Sequence, residues 1–414
     1  MTSTVRLRDV GSTYGGLTGK TKVDFGRGDA SFVTFLEVIN STRLRGRDLE
    51  RVRVAKGERQ SRVMRGDLLF NGSSETPEEV ALSAVVDFEP EASTFLNSFC
   101  FGFRLRSDAA VDPTYLAYFF RSAAGRSLVA SLAQGATRYN IAKTKFLDVE
   151  LALPSVEQQR EIVESLGDAD DLIAALERMI AKKQAIKQGM MQQLLTGRTR
   201  LPGFTGRWDE VALGESGVIT GGGVDKTSNP GESAVMLLNY VDVYRAEFID
   251  QGTARMQATA SAAKLAKCSV KARDVFFTPT SETPDDIARS AVADADLPGV
   301  VYSYHLVRWR PGAGWDPSYL GYAFSTERFR AQASTFAAGS GTRYVVSMPG
   351  FRSLVVPKPP IDEQRAIGAT LREVSNEINV LNARLRKAQA VKTGMMQELL
   401  TGRTRLPSFD SIDA

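Results

Sequence analysis

The stretch YGGLTGKTKVDFG, from Tyr14 to Gly26, holds the triplet Gly19-Lys20-Thr21, the residues with which a nucleotide-binding loop cradles phosphate. Such a loop also needs a glycine at position 14, and Tyr14 stands there, so the nucleotide reading fails on spacing. A Gly-rich loop carrying Lys20 and Lys22 remains, suited to DNA phosphates or simply to solvent. The second half of the chain has ITGGGVDKTS instead, keeping Thr220, Gly221 and Lys226 but not their order, so the Gly–Lys geometry is expected to differ there. His305 is the only histidine, which excludes a His-rich zinc site and leaves a His-dependent triad only through that residue. It lies in VVYSYHLVRWR, which alternates like a strand, and a structural or surface role is expected for it. Cys100 and Cys268 are isolated, with neither metal-ligand spacing nor a disulfide framework.

Three further groups of polar residues could touch a polyanion. Arg43, Arg45, Arg47, Arg51 and Arg53 crowd RLRGRDLERVR, which reads as a phosphate-contacting patch or as a solvated face. NGSSETPEEV, with Ser74, and TPTSETPDDI, with Ser281, match each other inside otherwise different regions. They suit a DNA-facing loop or a helix start, and Glu78, Glu79, Asp285 and Asp286 argue against their lying flat on a phosphate backbone. Arg138-Tyr139 and Arg343-Tyr344 recur in GATRY and SGTRY, each just before a strand leading to a long helix. There an arginine can pair bidentately with guanine or phosphate, or hold a globular head to the helix.

The elements that must position these groups are written twice. GMMQQLLTGRTRLPGF (189–204) and GMMQELLTGRTRLPSF (394–409) agree at 14 of 16 positions and lie 205 residues apart. EQQR (157–160) matches DEQR (362–365), and Asp112-Pro113 with Tyr115-Leu116 matches Asp316-Pro317 with Tyr319-Leu320. The division expected is residues 1–153, 154–204, 205–358 and 359–414: a variable head, a helix, a second head and a second helix.

Ile162, Leu166, Ala169, Ile173, Leu176, Ile180, Ile186, Met190 and Leu194 form an apolar stripe, matched by Ile367 through Leu385, Val391, Met395 and Leu399. Pro154 and Ser155 are start signals, and Gly197 and Gly402 are stops. At about 40 residues each helix is roughly 60 Å long. A stripe so narrow needs a partner, and the two copies are expected to pack antiparallel, with a parallel pair or packing on another protein as alternatives. DLLF, DVFF, FCFGFRL and LVRWR read as strands, and YLAYFFRS and YLGYAFST as short helices packed on them.

The bulk numbers agree with a folded protein: 414 residues, 43% hydrophobic, 24% charged, net charge +4. No apolar run approaches the length that crosses a bilayer, and the first ten residues lack the core of a secretory signal, so the cytoplasm is the expected location. No Asn-Pro-Pro-aromatic, dinucleotide-glycine or nuclease motif is present, and no catalytic or metal-ligating residue is assigned.

The doubled GMMQ-LLTGRTRLP, the EQQR/DEQR start and the TRY ahead of each helix make the whole chain resemble the specificity subunits of type I restriction–modification systems. The resemblance implies an α+β fold: two related mixed α/β target-recognition domains joined by two long helices in an antiparallel coiled coil, with an internal pseudo-twofold. It implies a non-catalytic subunit that binds double-stranded DNA at a split sequence with a fixed gap. It also implies two methyltransferase subunits and restriction/translocase subunits as partners, with S-adenosylmethionine, ATP and Mg on those partners and no cofactor here. On this view Lys20, Lys22, Arg43, Arg45, Arg47, Ser74, Arg138, Tyr139, Lys226, Arg245, Ser281, Arg343 and Tyr344 are the candidate DNA contacts. Met190, Met191, Leu194, Arg198, Arg200, Met395, Met396, Leu399, Arg403 and Arg405 are the candidate partner contacts. A recognition subunit of a combined restriction–methylation enzyme, or a coiled-coil adaptor that binds no DNA, are the alternatives.

Overall fold

A computed structural model describes residues 3–46 and 48–404. The chain divides into two units, Met1–Glu177 with Arg384–Ala414, and Arg178–Ala383. Each unit therefore takes one head, half of one long helix and half of the other, whereas the sequence division had set whole helices apart from heads.

In unit 1 five strands form a mixed sheet in the order Gly11–Gly15, Cys100–Leu105, Leu68–Asn71, Ser83–Val86, Arg43–Leu44. Unit 2 repeats that order with Gly217–Thr220, Val307–Pro311, Val275–Phe277, Ser290–Ala293, Phe248–Ile249. The last pair is parallel in both units and the others are antiparallel. The four expected strands are thus present, and they are apolar because helices cover them. Pro113–Arg121 buries Tyr115, Leu116, Tyr118 and Phe120 beside Phe70, Phe101 and Phe146. Pro317–Ala323 does the same in unit 2 with Tyr319, Leu320 and Tyr322 around Trp309. Each such side chain contributes roughly 1.5–3 kcal/mol by leaving water.

The repeated polar residues explain themselves here. Asp112 caps its helix, accepting from Thr114 N at 2.7 Å, with Pro113 as the first helical residue. The Asp112 amide donates in turn to the buried Gln159 at 2.8 Å, and Asp316 donates to the buried Gln364 at 2.9 Å. The glutamine common to EQQR and DEQR therefore joins each head to the start of its long helix. Buried amides bonded on both sides tolerate few replacements.

The long helices are Val156–Leu194 and Ile361–Leu399, of 39 residues each. Gly197 and Gly402 follow with φ of 69° and 70°, the left-handed stop their spacing predicts. In unit 1, Asp170 of the first helix pairs with Lys392 at 2.5 Å, while Ile162 and Leu166 share a core with Leu399. In unit 2, Lys183 pairs with Glu377, while Leu194 shares a core with Ile367 and Leu371. Within each unit the helix halves accordingly run antiparallel. Ile186 and Val391 depart from the expected stripe and are exposed. Each stands six residues beyond its predecessor on the stripe, which at 3.6 residues per turn places it about 120° off the buried face.

Each head adds a two-stranded sheet, Ser3–Arg6 with Glu150–Leu153 in unit 1 and Asp209–Ala212 with Val355–Lys358 in unit 2, and two further small sheets. One joins the repeated motifs: Ser73–Ser74 pairs with Tyr139–Ile141 in unit 1, and Thr280–Ser281 pairs with Arg343–Val346 in unit 2. The other is where the heads differ. Unit 1 has Glu50–Val52, Phe25–Val33 and Thr94–Leu96, whereas unit 2 has four strands, Met256–Ala260, Ser233–Leu238, Leu297–Tyr302 and Ser269–Val270. His305 is not on a strand. It sits in the turn Ser303–Leu306, closed by Leu306 N donating to Ser303 O at 3.0 Å. The apolar run continues across this turn, which is why it read as unbroken strand.

Candidate nucleic-acid interface

Three segments that the sequence left apart meet on one face of unit 1. Gly16 N donates to Cys100 O, and Leu17 N to Leu96 O. Gly72 N donates to Phe99 O, and Ser74 lies opposite Tyr139 in the ladder. The Gly-rich loop and the SETP loop are therefore both held by the segment 96–100, and the TRY strand joins them through Ser73–Ser74. Gly16 is required there by close approach: a Cβ at this residue would fall 1.9 Å from Asn97 O. Gly223 does the same in unit 2, 2.2 Å from Tyr302 O, where Val224 N bonds that same oxygen.

Arg138 is exposed, donates its Nε to Ser73 Oγ at 3.2 Å and lies over the Phe99 ring, 5.6 Å from its centroid. Tyr139 is half-buried beside it. In unit 2 Arg343 is exposed, Tyr344 half-buried and opposite Ser281. His305 lies near enough to Lys226 and Arg343 that, after burial, their charges hold its imidazole below its ordinary value, so it is neutral at pH 7. Lys226 is exposed and pairs with no acid among the described residues. The face of unit 2 thus gathers Lys226, Ser281, Arg343 and Tyr344.

Other expected contacts are committed elsewhere. Lys20 is paired with Glu58 at 2.6 Å, its side chain only 7% exposed. That ammonium, with the Ala55 amide and Gln60, holds the Glu58 carboxyl down at about 2. Lys22 opens a short 3-10 turn, Lys22–Asp24, and is exposed, so the loop retains one accessible cation. Arg43 is bonded to Asp87 at 2.6 Å, and Arg45 to Asp171 of the long helix. In unit 2 Asp294, the counterpart of Asp87, takes its cation from Arg372 on the helix instead, at 2.6 Å. Arg372 occupies the position of Gly167, against which Arg43 abuts in unit 1. One cation is thus supplied from opposite sides, and Arg43 and Arg45 hold head to helix where phosphate contact had been expected. Arg47 lies outside the described residues.

Arg51 and Arg53 are exposed, bonded to Asp29 O at 3.3 Å and to Asp24 at 3.3 Å. Ser74 donates to Glu79 at 3.2 Å, and Ser281 to Thr283 O, so both hydroxyls shape the turns that start the short helices Pro77–Glu79 and Pro284–Asp286. Arg245 is not in the unit 2 cluster. It lines a separate cavity of about 670 Å³ with Lys187, Glu247, Arg289 and Arg330. Replacing Arg45 by alanine is expected to leave DNA affinity and its salt slope unchanged, whereas a phosphate-contacting cation would lower that slope by about one. A titration at several salt concentrations checks this.

Of the candidate partner contacts, Leu194 and Leu399 are buried in the cores of their own units, so both side chains serve their own chain. Met190, Met191, Met395 and Met396 are half-buried against those cores. Arg200 clamps the buried Glu363, its Nη2 at 2.6 Å, with Trp208 Nε1 completing the cluster at 2.9 Å. Its guanidinium is thereby directed inward instead of toward a partner. Arg198 and Arg403 are exposed, and Arg405 lies outside the described residues. Sequence reading missed Phe99, Lys143, Tyr304 and His305 as members of the faces. Lys143 is exposed, with its Nζ beside Gly15. Phe99 and Tyr304 are large, apolar and exposed, at 58% and 47%, a signal that only burial reveals.

Among the described residues no three His, Cys, Asp or Glu side chains are grouped to hold a metal ion, and no helix is long and apolar enough to cross a membrane. Residues 4–188 match the family model described as type I restriction modification DNA specificity domain. The chain is 23% identical over 310 residues to the type I restriction enzyme MjaVIII specificity subunit of Methanocaldococcus jannaschii, covering 72% of each. It is 22% identical over 309 residues to the EcoKI specificity subunit of Escherichia coli, covering 72% of this chain and 66% of that one. The crystal structure of a type I restriction–modification S subunit from M. genitalium shares the fold at a TM-score of 0.58 over 96% of both chains, with 11% identity. Motifs, fold and relatives thus agree in making the chain similar to type I restriction–modification specificity subunits, with the family model matching residues 4–188.

Proposed function

We propose that this chain is the DNA-recognition component of a type I restriction–modification complex, working in the cytoplasm. Each unit reads one half of a split duplex target, and the half-sites are separated by a fixed gap. The chain performs no catalysis. Two methyltransferase subunits and the restriction/translocase subunits do, carrying S-adenosylmethionine, ATP and Mg. The single observation that supports this reading best is the duplicated face: one sheet order and one arrangement of SETP and TRY segments, set beside a second sheet that differs between units. A shared frame with a divergent neighbour is what two related readers of different sequences require. Half-buried methionines near both helix ends, with exposed Arg198 and Arg403, offer two similar docking surfaces for two copies of a partner.

The test is binding and methylation together. The chain with its co-purifying subunits should bind duplex DNA with an affinity that falls about a thousandfold or more between about 50 and 200 mM salt, as several phosphate contacts release counterions. Methylome mapping with and without the chain should show one split motif disappear. Salt-independent binding and an unchanged methylome would sink the reading and favour a protein-binding adaptor.

A further inference from the structure

Phe99 in unit 1 and His305 in unit 2, each in the turn that leads into a core strand, occupy one structural position twice. Asn97 N bonds Val33 O, and Cys100 N bonds Asn97 O. Ser303 N bonds Leu238 O, and Leu306 N bonds Ser303 O. Matching these bonds superposes Phe99 on His305. In unit 1 the exposed arginine of the TRY strand lies over this ring, and in unit 2 the charge of the corresponding arginine, Arg343, reaches it.

In unit 1 the arrangement fixes a guanidinium. Arg138 is stacked over an exposed ring and held through Nε by Ser73 Oγ, and its terminal nitrogens donate to no group among the described residues. An exposed guanidinium fixed at Nε, with both Nη groups left to donate, matches the O6 and N7 acceptors of a guanine edge. Unit 2 keeps the arginine but changes the ring. His305 is neutral, so one nitrogen donates and the other accepts, whereas phenylalanine can do neither. Tyr304 packs on it, ring centroids 3.9 Å apart, which steadies the imidazole on an exposed turn.

We infer that the paired position 99/305 determines specificity in each half-site: Phe99 positions Arg138 to read a guanine, and His305 adds its own hydrogen bond to a base edge beside Arg343. This rests on the DNA-recognition reading above.

The experiment exchanges the two rings, as Phe99→His and His305→Phe, in the full chain with its co-purifying subunits. Wild type and variants each select from a randomised duplex pool. Both rings lie in a surface turn, and an unchanged thermal transition verifies folding. The expected result is a motif altered at one base pair only, in the first half-site for Phe99→His and in the second for His305→Phe, with discrimination there falling about tenfold or more. If wild type enriches a split motif and both variants enrich the same motif equally well, the inference is overturned while the recognition function stands. If wild type enriches no motif, both are overturned.

Discussion

Asp67→Ala is expected to lower the melting temperature of unit 1 by roughly 6–12 °C, a loss of about 3 kcal/mol or more. Asp67 is buried, and its carboxylate accepts four hydrogen bonds: from Arg104 Nε at 2.8 Å and Nη2 at 2.7 Å, from Tyr14 OH at 2.6 Å and from Met64 N at 2.8 Å. Alanine would leave a stacked guanidinium and a half-buried phenol without this acceptor. Burial, then the charge of Asp67, pushes the Tyr14 phenol well above its ordinary value, so it remains a donor. Asp274 holds the same place in unit 2, with Arg310 at 2.6 and 2.7 Å and Lys271 N at 2.9 Å, but no tyrosine. Arg310 is more open to water and can be rehydrated, so Asp274→Ala should cost less than Asp67→Ala. Calorimetry of both variants checks the magnitude and the order. A shift below about 2 °C for Asp67→Ala would show that the network adds little to stability.

The second large effect is selective. Gly16→Val should abolish discrimination in the first half-site and leave the second intact, and Gly223→Val should do the reverse. At both glycines the obstacle is backbone, Asn97 O and Tyr302 O, which cannot rotate aside as a side chain can. The turn carrying Phe99 or His305 must then shift, at a stability cost of about 1–3 kcal/mol. The shift moves the ring away from its arginine. Footprinting on the split target reads the halves separately: protection should vanish over one and persist over the other. Equal loss over both halves would mean that the mutation acts through general unfolding, and retention of both would mean that the turn takes no part in recognition.

The repeated motifs proved to be of two kinds. The glutamine of EQQR/DEQR, the Asp-Pro helix caps and the Gly stops repeat because the frame repeats. They are legible because each acts locally or at one fixed contact. The five Arg residues of RLRGRDLERVR were legible as charge but not as role. Whether a guanidinium meets a phosphate or a carboxylate depends on the opposing surface, and Asp87 and Asp171 lie 44 and 126 residues away from Arg43 and Arg45.

By itself the sequence determined the duplication, the family resemblance, the two long helices with their ends, and the four principal strands. Those follow from periodicity, capping residues and identity between halves, all properties of the chain read in order. Only the tertiary structure decided which cations remain available, that His305 sits on a turn, and that it shares one position with Phe99, the ring beneath Arg138. These facts arise from hydrogen bonds and burial between segments distant in the chain, and no local pattern records which surface a side chain will face once the sheets have formed.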